Sequence, residues 1–164
     1  MTVKTSSIEG VSNGFRGVAG GGDRAGSTTN VMEYITIDTT GNSIDYGDLT
    51  SARQASAGCS DDNRGIFGGG GDTNTMDYIN IASTGNAVDF GDLVLGAAYN
   101  GPDAVSNGVR GVFCGGITPS YAGGTAQTQV LTIASKGNTT TFGNLTGERR
   151  NIMPCSNSTR GVLM

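Results

Sequence analysis

Alternating apolar and polar residues recur in short runs along this chain and predict β-strands. In residues 76–82, Ile79 and Ile81 fall on one face of a strand because side chains alternate between the two faces of a sheet. Residues 64–67 form a second apolar run that leads directly into four glycines. No segment shows the 3.6-residue period of an amphipathic helix, and glycine is too frequent for stable helices. The pattern predicts an all-β protein.

The same phrase, Arg-Gly followed by apolar residues and glycines, occurs in three copies and begins a fourth time. Its arginines are Arg16, Arg64, Arg110 and Arg160, with steps of 46 to 50 residues. A period in this range indicates a copied supersecondary unit that buries its apolar face against the next copy. We therefore expect one repeat domain spanning residues 1–164, with units at residues 3–49, 50–93 and 94–146 and a partial unit at 147–164.

The second unit shows the expected order of four short antiparallel strands most clearly. Residues 50–59 are predicted to form the first strand, residues 60–63 a turn, and residues 64–67 the second strand. A loop and the strand at 76–82 follow. Gly85-Asn86 then reads as a two-residue hairpin turn, which leads into the fourth strand.

Each Gly-Asn pair precedes an aromatic-Gly-Asp/Asn-Leu signature. The aromatic and the leucine are expected to anchor the outer strand in the core, so replacing Phe90 or Phe142 by Ala should unfold the domain. The Gly-Asp pair should turn the chain toward the next copy. The anchors are Tyr46, Leu49, Phe90, Leu93, Phe142 and Leu145.

With the strands in this order, the unit resembles a kelch repeat, the blade of a β-propeller. The residues that carry the resemblance are Arg53, the doublets Gly68-Gly69 and Gly115-Gly116, and the aromatics Tyr34 and Tyr78. The tryptophan usual in the last kelch strand is missing, and Phe or Tyr before Gly-Asp-Leu takes its place. The resemblance implies a propeller or partial propeller with three full units and a C-terminal half unit.

The sequence motifs of the repeats are similar to those of glycine-rich, kelch-like virion proteins of tailed bacteriophages. The phage motif Arg-Gly-Val-Phe-Gly-Gly-Gly is approximated here by residues 16–22, 64–70 and 110–116. Tyr-Ile-Thr-Ile, Thr-Gly-Asn and Phe-Gly-Asp-Leu occur in this chain as such. This resemblance implies a tail, fibre or capsid-decoration component, made in the host cytoplasm and resident in the virion. An alternative is an adhesion module that recognises a host-surface glycan or protein receptor.

Three and a half units fall short of the 4–8 blades of a closed propeller. Exposed strand edges and apolar faces favour association, so we expect a homo-oligomer, docking on other virion proteins, or both, and no stable monomer. Specificity is expected where the copies diverge, in the loop 117–124 and at the termini, and removal of residues 161–164 should weaken assembly. The candidate partner contacts are Ile117, Thr118, Pro119, Ser120, Tyr121, Val162, Leu163 and Met164.

The residue composition offers little for catalysis or for a cofactor. There are no histidines, which excludes Ser-His-Asp and Cys-His catalysis and most zinc sites. The glycine runs lack the Lys-Ser/Thr and helix context of phosphate loops, so they are interpreted as tight packing at strand ends. No aspartate group forms a calcium loop. We expect no enzyme activity, no cofactor and no metal.

Charge and apolar content limit the kinds of partner. The net charge is −4 and no basic stripe exists, which argues against nucleic acid. No apolar stretch is long enough to cross a membrane. Cys59 and Cys155 occupy the same repeat position and are expected to be buried, and each repeat arginine is expected to bond carbonyls or an aspartate of a neighbouring unit.

Overall fold

A computed structural model describes residues 4–94, 101–117 and 124–164, and within these ranges every regular element is a strand. The all-β prediction is confirmed. The strands in chain order are β1 (Thr5–Ser6), β2 (Glu9–Ser12), β3 (Arg16–Gly20), β4 (Asp23–Arg24), β5 (Ser27–Thr28), β6 (Val31–Thr36), β7 (Ile44–Asp48), β8 (Ala57–Ser60), β9 (Arg64–Gly68), β10 (Thr75–Asn80), β11 (Val88–Asp92), β12 (Asp103–Ser106), β13 (Arg110–Cys114), β14 (Thr125–Thr132), β15 (Thr140–Arg149), β16 (Cys155–Ser156) and β17 (Gly161–Val162).

Twelve of these strands form three antiparallel sheets of four. Sheet 1 has the order β2-β3-β6-β7, sheet 2 the order β8-β9-β10-β11, and sheet 3 the order β12-β13-β14-β15. β16 and β17 pair with each other and are called the C-terminal hairpin. β1, β4 and β5 form a small additional sheet, so the segment that follows the first glycine run, residues 23–30, contains two short strands.

The sheets stack face to face, with their first strands adjacent: β2 contacts β8, β8 contacts β12, and β12 contacts β16. One apolar core lies between sheets 1 and 2, where Val18, Met32 and Tyr46 meet Phe67 and Ile79. A second core, between sheets 2 and 3, is built from equivalent positions and includes Ile66, Met76, Phe90, Phe113 and Leu131. This is a β-propeller-like arrangement in which sheet 2 buries one face against sheet 1 and the other against sheet 3.

The first turn of each repeat is closed by one side chain three residues before the repeat arginine. In the second repeat Asp61 Oδ1 accepts bonds from the amides of Asn63 (2.7 Å) and Arg64 (2.6 Å). The same bonds recur in the other copies, which explains the turn-forming clusters as Asx turns. The equivalent acceptors are Asn13, Asn107 and Asn157.

The predicted first strand of the second unit is mostly wrong. β8 begins at Ala57, and residues 50–56 are the connection that crosses from β7 to β8. Arg53 lies in this connection and not in a strand. It is fully buried and forms an ion pair with the fully buried Asp77 of β10. This ion pair and isolated backbone hydrogen bonds, such as that from the Arg53 amide to the Thr29 carbonyl (3.2 Å), hold the segment in place of a strand ladder.

The interpretation of the glycine runs as tight packing at strand ends is confirmed. Gly21 has φ +69°, and a Cβ there would lie 2.6 Å from the Arg53 carbonyl oxygen. Gly115 has φ +64°, with the Arg149 carbonyl oxygen also at 2.6 Å. A larger residue would meet both a strained backbone and a neighbouring chain segment.

Candidate interaction surface

The Gly-Asn motif joins neighbouring sheets. The Gly85 amide donates to the carbonyl of Tyr46 (2.8 Å), and the Ala87 amide donates to the carbonyl of Asp48 (2.8 Å). Asn86 Oδ1 accepts the Asp48 amide at 3.0 Å. The motif of sheet 2 therefore binds the aromatic-Gly-Asp strand of sheet 1 through three hydrogen bonds.

The same three bonds connect sheet 3 to sheet 2. Gly137 donates to Phe90 (2.8 Å), Thr139 donates to Asp92 (3.0 Å), and Asn138 Oδ1 accepts the Asp92 amide at 2.9 Å. The predicted two-residue hairpin turn is therefore wrong, because residues 81–87 all lie between β10 and β11. The Gly and Asn residues of this loop form a contact with the neighbouring sheet instead of a tight turn.

The glycine of the aromatic-Gly-Asp strand makes this contact possible. A Cβ at Gly47 would lie 2.5 Å from the Gly85 carbonyl oxygen, and a Cβ at Gly91 would lie 2.5 Å from the Gly137 carbonyl oxygen. Both glycines also have φ values near +140°, which disfavour other residues. Only glycine allows the two backbones to approach this closely.

Two of the repeat arginines reach across to the next sheet, as expected. Arg16 Nη1 donates to the Ile81 carbonyl (3.1 Å), and its guanidinium lies 4.3 Å from the centre of the Tyr34 ring. Arg64 Nη1 donates to the carbonyls of Ile133 (3.2 Å) and Ala134 (2.8 Å). Each guanidinium thus bonds the end of the third strand in the following sheet.

Sheet 3 presents the corresponding features without a cover. Phe142 is 58% exposed, whereas the equivalent Tyr46 and Phe90 are 2% and 1% exposed. The expectation that Phe142 anchors the core is wrong, because no following Gly-Asn loop in the described chain lies on it. Arg110 is likewise exposed, and no carbonyl of the described residues accepts its guanidinium.

Sheet 1 is uncovered on its opposite face. Ile35 and Ile37 are 48% and 50% exposed, whereas the equivalent Ile79 and Ile81 are 3% and 0% exposed against sheet 1. The Gly41-Asn42 pair of this sheet is exposed as well. The contact between sheets 1 and 2 recurs between sheets 2 and 3. The exposed face of sheet 3 presents one half of this contact, the aromatic residue and the arginine, and the exposed face of sheet 1 presents the other half, the isoleucine pair and the Gly-Asn loop.

The C-terminal hairpin occupies the place of the first two strands of a further sheet. A Cβ at Gly161 would lie 2.9 Å from the Val105 side chain. A Cβ at Gly65 would contact Val11, and a Cβ at Gly111 would contact Cys59, at the equivalent positions between the other sheets. Between this hairpin and sheet 3 lies a groove of about 460 Å³.

Of the predicted contact residues, Leu163 lines this groove, and Val162 and Met164 are 48% and 69% exposed. Ile117 is half-buried, and Thr118, Pro119, Ser120 and Tyr121 lie outside the described residues.

The sequence interpretation missed that Arg149 occupies the position of Arg53. The Arg149 carbonyl accepts the Gly116 amide (3.0 Å) as the Arg53 carbonyl accepts the Gly22 amide (2.8 Å). The signal was present in the sequence, because Leu-Thr-x-x-Arg follows the aromatic-Gly-Asp/Asn motif in both places.

The cysteines differ in environment. Cys59 and Cys114 are buried, and burial raises the pKa of their thiols to about 12 and about 11. Cys155 is exposed, so the prediction of burial holds for Cys59 and fails for Cys155. The next-sheet glycine that covers Cys59 has no counterpart over Cys155 in the described chain.

Two carboxyl groups at equivalent positions of β2 and β12 have raised pKa values. Burial raises the pKa of Glu9 to about 7, with a smaller contribution from the charge of Asp103. Burial also raises the pKa of Asp103 to about 6.

Among the described residues, no group of three or more His, Cys, Asp or Glu side chains is placed to hold a metal ion. The described part of the chain also has no helix long and apolar enough to span a membrane.

The fold has counterparts among solved structures. The structure of YjhT superimposes with a TM-score of 0.81 at 10% identity, over 100% of this chain. The chain spans 58% of the length of that protein. No family model and no curated protein matches the sequence. At this identity the likeness concerns the fold alone, and it agrees with the β-propeller-like stack.

Proposed function

We propose that this chain is a non-enzymatic structural protein of a bacteriophage virion, a tail, fibre or capsid-decoration component that acts through protein–protein contacts. In this proposal it consists of three kelch-like blades and the inner half of a fourth. The virion assignment depends on the phage-like phrases of the repeats, such as Tyr34-Ile35-Thr36-Ile37 and Phe90-Gly91-Asp92-Leu93.

The contrast between the middle and the ends of the stack is the observation that supports action by protein contact. Phe90 and Ile81 are buried between sheets, whereas their equivalents Phe142 and Ile37 are about half exposed or more. Apolar side chains in such rows mark surfaces that bind other protein. Partners of these faces, whether other copies or other virion proteins, are part of the proposal.

The chemistry of the side chains favours a non-enzymatic role. The sequence has no histidine to act as a general base. The thiols of Cys59 and Cys114 are buried and have raised pKa values, which is the reverse of what a nucleophilic cysteine needs.

The test is to look for this chain in purified particles. Tailed-phage particles are taken from a culture infected with a phage whose genome encodes this chain. They are banded on a density gradient, washed in high salt without added protease, and analysed by mass spectrometry. We expect its peptides at a constant ratio to the major capsid protein, while an abundant host cytoplasmic protein is lost. Absence from the particle band would contradict the virion assignment. Glycan-array binding by the purified chain combined with that absence would favour the adhesion module.

A further inference from the structure

We propose that the groove between sheet 3 and the C-terminal hairpin binds a β-hairpin of the kind that forms the third and fourth strands of the repeat. The occupant carries an alternating apolar pair, a carboxylate on its first strand, a Gly-Asn loop and an aromatic-Gly-Asp strand. The inference rests on the proposed function, because it specifies the protein contact that the proposal requires.

The first argument is the free edge of β17. In sheet 2 the equivalent strand β9 pairs with β10, with Gly65 opposite Ile79 and Ile66 opposite Tyr78. Gly161 and Val162 occupy the positions of Gly65 and Ile66, and among the described strands β17 pairs only with β16. An added third strand would satisfy this edge by ordinary β-pairing.

The second argument is the apolar floor of the groove. Val112, Thr128 and Phe142 line it, and they are the equivalents of Val18, Met32 and Tyr46 of sheet 1. Those three sheet 1 residues pack in one cluster with Ile79, on the third strand of sheet 2, and with Ile81, directly after that strand. A strand with the same alternating pair fits over Phe142 in the same way.

The third argument is polar and concerns the rim of the groove. In both existing contacts an arginine of one sheet bonds the carbonyl that follows the third strand of the next, and a Gly-Asn loop bonds the aromatic-Gly-Asp strand. Arg110 and the Phe142–Asn144 segment, which line this groove, have no such partner among the described residues. A hairpin with a Gly-Asn loop between its two strands supplies a carbonyl for Arg110 and hydrogen-bond partners for the Phe142–Asn144 segment.

The fourth argument predicts the charge of the occupant. Asp77 of sheet 2 is buried, and it accepts bonds from Arg53 and from Thr50, whose amide lies at 3.1 Å and whose hydroxyl lies at 2.6 Å. Thr146 and Arg149 repeat this sequence pair in the last part of β15, before the chain continues to the C-terminal hairpin.

The connection between sheets 2 and 3 provides the contrast. There Val94 stands at the threonine position, and the residue of sheet 3 equivalent to Asp77 is the uncharged Gln129. A threonine and an arginine before the start of a sheet therefore occur together with an acidic residue in the third strand of that sheet. Thr146 and Arg149 stand at these two positions before the C-terminal hairpin, which indicates an acidic residue in the third strand that the occupant supplies. No side-chain hydrogen bond or ion pair engages Arg149 within the described residues.

The experiment adds a synthetic hairpin to the whole 164-residue chain. The probe is a fluorescein-labelled peptide with the sequence of residues 73–93, which contains Asp77, Gly85-Asn86 and the Phe90 strand. Binding is followed by fluorescence anisotropy, and hydrogen exchange locates it. We expect saturable binding and new protection of the amides at residues 161–162.

The matched controls are a peptide with Asp77→Asn and a chain with Arg149→Gln. Each single change should weaken binding by more than about tenfold, since it leaves one buried charge without its partner. The two changes together should cost little more than either alone, because both remove the same ion pair.

Lack of peptide binding, or binding that neither change weakens, would overturn the inference. Either result leaves the particle analysis of the proposed function unaffected, so failure of the groove and failure of the virion assignment are distinguishable.

Discussion

The aromatic residue before each Gly-Asp/Asn pair contributes differently to the free energy of unfolding in different copies of the repeat. Phe90 is 1% exposed between sheets 2 and 3, and Phe142 is 58% exposed. Phe90→Ala should therefore lower the free energy of unfolding by about 3–5 kcal/mol, as expected for a buried aromatic. Phe142→Ala should change it by less than about 0.5 kcal/mol, as for most surface changes.

Urea unfolding of the two variants beside the unchanged chain measures this difference. Equal losses in the two variants would mean that Phe142 is buried in the isolated chain.

Glu9 predicts a pH dependence of stability. Its pKa rises from 4.5 to about 7 in the folded chain, so the folded state binds the proton more tightly than the unfolded state. A raised carboxyl pKa contributes stability that is fully present below about pH 4.5 and is lost as the pH rises through about 7.

Glu9→Gln should remove this contribution. The variant should gain stability relative to the unchanged chain between pH 5 and about pH 7, as measured by urea unfolding across the range. Asp103, whose pKa is raised to about 6, leaves a residual slope at lower pH in both proteins. An unchanged difference between the two proteins from pH 5 to 8 would contradict the raised pKa of Glu9.

The sequence predicts burial well where a residue recurs and has a neighbouring copy. Tyr46, Leu49, Phe90 and Leu93 are all buried as predicted. It fails at Phe142 because a repeat pattern does not show which copy lacks a covering sheet. One signal was available: Met32 and Met76 have Thr128 as their equivalent, a polar residue beneath the exposed Phe142.

At the scale of elements, the Gly-Asn loop is where local interpretation and structure diverge most. The dipeptide has the preferences of a tight turn, so sequence patterns predicted one. Its bonds go instead to Tyr46 and Asp48, about 38 residues away in sequence. Local propensity does not show contacts between distant segments, whereas the recurrence of Gly-Asn before every aromatic-Gly motif does point to a shared role.

This contact predicts unequal effects of one substitution at two equivalent glycines. Gly91→Ala places a Cβ 2.5 Å from the Gly137 carbonyl at a φ of +141°, which costs about 1–3 kcal/mol from the backbone alone. At Gly143 the nearest atom to an added Cβ is 3.9 Å away, in Thr128, and the backbone has no positive φ.

Gly143→Ala is therefore the matched control and should be tolerated. Thermal unfolding of both variants decides the point, and equal midpoints would show that the Gly-Asn loop does not hold sheets 2 and 3 together.

At the scale of the whole molecule, the stack repeats one type of contact between sheets and has two unlike ends. One end presents Ile35 and Ile37, and the other presents Phe142 and Arg110. In the homo-oligomer that we propose, such heterologous ends would join copies head to tail, and the number of copies would depend on whether the rotation closes. The expectation that the isolated chain is not a stable monomer remains a prediction, and these faces give it a structural basis.

Ile37→Lys tests this at the exposed end, with Ile81→Lys as the matched control. Ile37 is 50% exposed, so a lysine there should leave unfolding nearly unchanged while it reduces self-association by charging an apolar contact face. Ile81 is fully buried at the equivalent position, so a lysine there should unfold the domain, because an unpaired buried charge is very costly. Sedimentation velocity over a range of concentrations measures association, and circular dichroism measures folding. A chain that sediments as a monomer at all concentrations before any substitution would show that the exposed face of sheet 1 is not used between copies.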